Sequence, residues 1–110
     1  MSTKGIITDV WIGDTGHGMK SFYITISHET GASQGFGGYS LGYNGDKVSL
    51  LERMIKREVP KILNRKDWED LVGTQVDIEG TFNKINRIGV DNNWVDFEVL
   101  FEPYHAFAAL

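Results

Sequence analysis

A cluster of glycines constrains the fold of this chain more than any other sequence feature. Five of the twelve residues from Gly31 to Gly42 are glycine, in the order GASQGFGGYSLG. Glycine inside a regular element costs about 0.5–1 kcal/mol relative to alanine, so it is retained where φ is positive, where a strand bulges, or where another backbone or a ligand lies close. Two interpretations stay open: a bulged core strand with Phe36 buried, or a ligand site built around Phe36 and Tyr39.

Alternation of apolar and polar residues predicts most of the strands. The segment 94–102 shows the cleanest pattern, with Val95, Phe97, Val99 and Phe101 on one face. The glycine-rich stretch is predicted to pair back as the third strand of a meander. Phe82 and Ile88 are predicted to face the core. The other predicted strands are 5–12, 20–28, 74–79 and 81–90.

Helical periodicity is confined to the middle of the chain. Leu51, Met54, Ile55 and Val59 recur at three- and four-residue spacing and predict the principal helix. Asp46 or Ser49 is expected to cap this helix, and Pro60 is expected to end or kink it near Glu58. The sequence DWEDL, which begins at Asp67 and stops at Gly73, predicts a second short helix. The predicted fold class is α+β, with a mostly antiparallel sheet, one principal helix and a second short helix.

Composition limits the classes of function. The chain has 110 residues, which predicts a single domain over residues 1–110. The absence of cysteine excludes disulfides and thiolate chemistry, and no apolar run approaches about 18 residues, so we expect a cytoplasmic protein without a membrane segment. The net charge of −4 disfavours binding to a nucleic-acid polymer. Seven of the eleven lysines and arginines lie between Lys47 and Lys66, which indicates either a solvated helix face or a local anion site.

No recognised catalytic pattern is present in the sequence. The histidines, His17, His28 and His105, lie far apart, which disfavours a zinc site. The glycine-rich stretch lacks both the Lys-Ser/Thr ending of a phosphate-binding loop and the spacing of a dinucleotide fingerprint. Asp96 and Glu98 are predicted to share one strand face, as a carboxylate pair for acid–base chemistry or, alternatively, as an exposed polar face. We therefore predict a protein that is not an enzyme and uses neither metal nor cofactor.

Three segments, SQGFGGYSLG, DWEDLVG and IGVDNNWVD, together resemble a family of small phage-encoded proteins. That family carries a GQGFGGY-x-L stretch, then a helix, WEDL-x-G, an IG strand and a W-x-D turn, and the resemblance covers about residues 34–96. The family is similar to the phage anti-Thoeris proteins, small oligomers that sequester immune signals of the cyclic ADP-ribose type. The resemblance implies that a cyclic nucleotide is bound without cleavage in the cytoplasm of an infected host cell. The link VPKILNRK is longer than that family's pattern.

The chemistry of the side chains, rather than the resemblance, predicts the binding residues. Aromatic rings for stacking, bare backbone amides and polar partners for base and phosphate are the groups that a nucleotide needs. The predicted ligand-binding residues are Phe36, Gly37, Gly38, Tyr39, Arg87, Asn92 and Trp94, with Trp11, Tyr23 and Trp68 as further possible stacking rings. The apolar tail 106–110 favours a homo-oligomer or, alternatively, packs on its own sheet. The alternative function is a small structural or protein-interaction module without a small-molecule ligand.

Overall fold

A computed structural model describes residues 2–43, 45–81, 84–96 and 98–100 of the chain. The α+β class is confirmed, with six strands, one principal helix and a short 3-10 turn. The strands are β1 (Ser2–Asp14), β2 (Met19–His28), β3 (Ser33–Tyr43), β4 (Gln75–Gly80), β5 (Ile85–Val90) and β6 (Asn93–Val95). The principal helix is α1 (Asp46–Ile62), and the second predicted helix forms as the 3-10 turn Glu69–Leu71.

The six strands form one antiparallel sheet in the order β3-β2-β1-β4-β5-β6. Strand β1 is long enough to serve two neighbours, since Ser2–Ile6 pairs with β4 while Gly5–Asp14 pairs with β2. The sheet curls until β3 contacts β5, and the Gln34 side-chain amide donates to the Thr81 carbonyl at 3.2 Å. Helix α1 connects β3 to β4 and contacts β3 and β6. The order of these elements resembles that of the OB (oligonucleotide/oligosaccharide-binding) fold, a partly open five-stranded barrel, although β5 pairs here with β4 and β6.

The inward faces of the strands and one face of α1 enclose a single apolar core. Phe22, Ile24 and Ile26 share one buried face of β2, and the prediction that Ile88 faces the core is confirmed, because all four side chains are fully buried. The other core side chains are Ile7, Phe36, Met54, Ile55, Val59, Leu63, Trp68, Leu71, Val76, Ile78, Ile85 and Val95. Phe82, which was also predicted to face the core, lies outside the described residues. Strand β5 begins at Ile85 rather than at residue 81.

The prediction of a strand over residues 94–102 is wrong. Strand β6 ends at Val95, and a helical turn occupies residues 98–100. The Asp96 carboxylate accepts the backbone N–H of Glu98 at 3.0 Å and of Val99 at 3.4 Å, which is how an N-cap residue starts a helix. Val99 is 63% exposed, and Phe97 and Phe101 lie outside the described residues. Asp96 and Glu98 therefore do not form a pair on one strand face.

Helix α1 differs from its prediction at both ends. It continues through Pro60 to Ile62, so of the two effects expected of Pro60, an end or a kink near Glu58, the end is wrong. Val59, Pro60 and Leu63 are buried, and this packing outweighs the backbone hydrogen bond that proline cannot donate. The N-cap position is Gly45, with no side-chain hydrogen bond, so neither Asp46 nor Ser49 serves as the cap.

Candidate ligand-binding face

The structure divides the predicted ligand-binding residues between opposite ends of the strand order. One group lies on β3 and comprises Phe36, Gly37, Gly38 and Tyr39. The other group lies in the β5–β6 hairpin and comprises Arg87, Asn92 and Trp94. Glu79 is opposite Arg87 in the β4–β5 ladder and opposite Ser2 in the β1–β4 ladder. Ser2 is at the start of β1, the end of that strand away from the β1–β2 turn. The two groups therefore lie on strands that are not hydrogen-bonded neighbours in the sheet.

The glycine-rich strand contributes to the core at two of its predicted positions. Phe36 is only 3% exposed and packs among the core side chains, so its ring is not presented to a ligand. Gly37 has φ +100°, and a Cβ atom at this position would lie 2.6 Å from Cε2 of Phe22. The bulged core strand, the first of the two interpretations, thus accounts for Phe36 and Gly37. The backbones of Gly38 and Tyr39 belong to β3, and the described side chains do not include theirs.

Arg87 and Trp94 pack against each other on the outer face of β4, β5 and β6. The guanidinium carbon of Arg87 lies 4.1 Å from the centroid of the Trp94 ring, and its Nη2 donates to the Glu79 carboxylate at 2.7 Å. This hydrogen bond and the positive charge hold the pKa of Glu79 below its ordinary value. Trp94 also lies against Gly89, where a Cβ atom would come within 2.7 Å of the indole. A phosphate that approached Arg87 would have to compete with Glu79.

Asn92 lies in the tight turn between β5 and β6. Its φ is +66° and that of Asp91 is +51°, the backbone conformation of a two-residue hairpin turn. Asn and Asp tolerate this conformation better than other non-glycine residues, so the turn itself accounts for their presence. Asn92 is exposed.

A second aromatic pair lies on the outer face of β1 and β2. Trp11 and Tyr23 are directly opposite in the β1–β2 ladder, with ring centroids 5.8 Å apart and planes inclined by 21°. Tyr23 is 38% exposed and Trp11 is half-buried. Both residues alternate with inward-facing neighbours, such as Phe22 and Ile24 on β2. Sequence reasoning named the two rings separately; their equal separation from the β1–β2 turn was the signal that could have paired them.

Asp9 holds a carboxylate at the edge of the Tyr23 ring. The Tyr23 hydroxyl donates to Oδ2 of Asp9 at 3.3 Å. A bulge between Ile7 and Asp9 shifts the register of β1 and places Asp9 beside Thr25 on this face. Partial removal from water, followed by the charge of Asp9 and this hydrogen bond, raises the pKa of the Tyr23 hydroxyl. Sequence reasoning missed Asp9 because only the bulge brings it to the ring.

Gly35 leaves bare backbone beside this aromatic pair. It is opposite Thr25 in the β2–β3 ladder, and Gly37 is opposite Tyr23. Gly35 is exposed, its φ is not in the left-handed region, and a Cβ atom there would have no heavy atom within 4 Å. Neither backbone conformation nor packing requires glycine at this position. Close approach of a ligand or of another backbone is a further cause of glycine in a strand.

A shallow groove lies toward the start of β1, beyond Asp9 and the aromatic pair, which do not line it. Its volume is about 270 Å³, and its lining includes Lys4, Ile6, Thr8 and the acidic residue Glu29. Lys4 is exposed, and Ile6 keeps 48% of its surface in contact with solvent. We use the name ligand face for Asp9, Trp11, Tyr23 and Gly35 together with this groove. Aromatic, anionic, bare-backbone and cationic groups thus follow one another on one surface.

Comparisons with known proteins found neither a family model nor a curated protein that matches this chain. No helix in the described part of the chain is long and apolar enough to cross a membrane. In the same residues, no three side chains of the metal-binding types lie close enough together to hold an ion. The resemblance to the anti-Thoeris proteins remains a prediction.

Proposed function

We propose that this protein binds a nucleotide without cleaving it, on the ligand face of β1, β2 and β3. The observation that carries the proposal is the stack of the exposed Tyr23 ring on the half-buried Trp11 ring, beside Gly35, a glycine that the fold does not require. Stacking of a base on an aromatic side chain is worth about 1–3 kcal/mol in single-strand binding proteins. The outer face of strands 2 and 3 is also where OB folds bind their ligands. That correspondence is an analogy of fold, so the proposal rests on the side chains.

The ligand that we propose is a cyclic nucleotide immune signal of the cyclic ADP-ribose type. A base on the Tyr23 ring would leave its sugar and phosphates over the bare backbone of β3, where Gly37 is opposite Tyr23 and Gly35 is opposite Thr25. Asp9 on the face and the net charge of −4 favour a small ligand over a nucleic-acid polymer. By the resemblance, the role is to sequester the signal from a host effector, in the cytoplasm and as a homo-oligomer, with no cofactor.

A thermal-shift screen followed by release of the ligand tests this function. Cyclic ADP-ribose isomers, cyclic dinucleotides and a single-stranded oligonucleotide are added separately, and a ligand at 100 times its Kd stabilises the fold by about 2.7 kcal/mol. The complex is then denatured by heat and the released nucleotide is identified. Recovery of the unchanged nucleotide supports sequestration, whereas a converted nucleotide indicates an enzyme. If no nucleotide changes the thermal midpoint, the alternative of an interaction module replaces this proposal.

Two substitutions locate the site. Tyr23→Leu is expected to weaken nucleotide binding by about 1–3 kcal/mol, because a stacking ring is lost from an exposed position. The matched control is Tyr43→Leu, which removes another exposed tyrosine, at the end of β3 and opposite Met19. Equal losses from the two variants would place the site elsewhere. Isothermal titration of the folded variants gives the comparison.

A further inference from the structure

Asp9 places a carboxylate at the hydroxyl end of the Tyr23 ring, beside the surface on which a base would stack. Its carboxylate is 3.3 Å from the Tyr23 hydroxyl, at the rim of the ring, and the residue is exposed. The hydroxyl donates to the carboxylate, and this hydrogen bond orients the Asp9 side chain. The pairing of Asp9 with Thr25 and of Trp11 with Tyr23 keeps all of these groups on one face of the hairpin. The ring would thus provide the stacking surface and the carboxylate the polar contact.

An ionised carboxylate accepts hydrogen bonds and donates none. It therefore stabilises a base edge that carries an N–H donor and repels an edge that presents only nitrogen or oxygen lone pairs. The amino group of adenine, cytosine or guanine meets this requirement, whereas unsubstituted purine has only acceptors on the same edge. The carboxylate also repels phosphate, which would direct the phosphates of a stacked nucleotide away from Asp9.

We propose that Asp9 determines the specificity of the ligand face by accepting a hydrogen bond from the amino group of the stacked base. This inference rests on the proposed nucleotide-binding function and adds the class of base. Asp9 acts directly on the ligand, and Tyr23 both stacks on the base and positions the carboxylate. Hydrogen bonds to charged groups are among the stronger ones in proteins, so a ligand without the amino group is expected to bind about tenfold more weakly.

The test compares adenosine with purine riboside, which lacks only the amino group. Both are neutral nucleosides, so attraction between phosphates and lysines does not contribute. Binding is measured by the change in tryptophan fluorescence, since Trp11 lies in the site. The wild-type protein is expected to bind adenosine about tenfold more tightly than purine riboside. Asp9→Ala is expected to lose most of this preference, because alanine has no oxygen that could accept a hydrogen bond from the adenine amino group.

The matched control is Asp91→Asn, which removes the same charge at the β5–β6 turn. Asparagine tolerates the φ of +51° at this position, so the variant is expected to fold and to keep the preference for adenosine. Equal binding of the two nucleosides by the wild-type protein would overturn the inference and leave the proposed function standing. The same holds if neither nucleoside binds while a nucleotide of the thermal-shift screen does. If nothing in either experiment binds, both proposals are overturned.

Discussion

Gly35 and Gly37 lie two residues apart on β3, and different causes account for glycine at the two positions. Gly37→Ala is expected to lower the free energy of unfolding by more than about 1 kcal/mol, because alanine is strained at φ +100° and its methyl group would overlap the Phe22 ring. Gly35→Ala is expected to leave stability unchanged or raise it by about 0.5–1 kcal/mol, since the methyl group meets open space. Urea denaturation without ligand measures both changes.

Measured with ligand, the same two variants distinguish a glycine that the fold requires from a glycine that leaves room for a ligand. Gly35→Ala is expected to weaken nucleotide binding in a fully folded protein, because the methyl group occupies the space above the backbone beside Tyr23. If Gly35→Ala destabilises the fold as much as Gly37→Ala does, a structural cause for Gly35 exists and the inference from its openness fails.

The Tyr23 hydroxyl provides a residue-scale test of its contact with Asp9. Its pKa is raised above the ordinary value of 10.0, first by partial removal from water and then by Asp9. The neutral form is therefore favoured in the folded state, and the associated stability is present below pH 10 and is lost as the pH rises through the higher folded pKa. Asp9→Asn is expected to lower this pKa toward 10, because it removes the negative charge.

Ultraviolet absorbance of tyrosinate during an alkaline titration follows this group. The chain has four tyrosines, so subtraction of the Tyr23→Phe titration isolates the signal. An unchanged pKa in the Asp9→Asn protein would show that the two side chains do not interact in solution.

At the scale of elements, Asp96 decides where β6 ends. Its carboxylate caps the helical turn 98–100, and Asp96→Ala is expected to lower the free energy of unfolding by about 0.5–2 kcal/mol. Asp96→Ser retains a capping oxygen and is expected to cost less. Asp96→Val is the informative contrast, since a valine would favour a longer strand. If the Asp96→Val protein is more stable than the wild type in urea, the strand that alternation predicts over residues 94–102 is favoured, and the role given to the Asp96 cap is contradicted.

At the scale of the whole molecule, Gly5 allows β1 to pair with two neighbours at once. It is opposite His28 on β2 and Val76 on β4, and a Cβ atom would lie within 3 Å of Ile26, Ser27 and Ile78. Gly5→Ala is expected to lower the free energy of unfolding by about 1–3 kcal/mol, the usual cost of overpacking. Gly13→Ala, on the same strand but with its nearest contact at 3.6 Å, is the control. Equal stability of the two variants in urea would contradict the close approach at Gly5.

Association is the other property of the whole molecule. We expect a homo-oligomer, most simply a dimer with two-fold symmetry, because so small a domain offers limited room for a deep pocket. Sedimentation velocity at micromolar concentration measures the mass, for which one chain accounts for 12.4 kDa. A monomer in the presence and absence of nucleotide would remove this prediction and place the entire ligand face on one chain.

Local sequence patterns were sufficient to predict those strands and helices that form because one of their faces is buried. The alternation in β1, β2 and β4 and the helical spacing in α1 each reflect one buried face, so the sequence alone predicted these elements, the α+β class and core residues such as Ile88. The strand predicted over 94–102 was wrong because alternation of apolar residues does not show which side chains bond to the backbone. The Asp96 carboxylate accepts the backbone N–H of Glu98, and this hydrogen bond favours a helical turn over a strand. The predicted end of α1 near Glu58 was wrong for a different reason. Burial of α1 against the core stabilises the helix more than Pro60 destabilises it.

The candidate site depended on contacts between residues distant in the chain. The sequence named Trp11, Tyr23 and the glycines as binding chemistry, but the β1–β2 register decides that the two rings stack and a bulge decides that Asp9 joins them. The glycine cluster could not be divided into core and surface without the position of Phe22, which excludes a side chain at Gly37 and leaves Gly35 open. Composition and period therefore determined which elements form, whereas register, bulges and the curl of the sheet decided which side chains meet, because these depend on long-range pairing that no local pattern encodes.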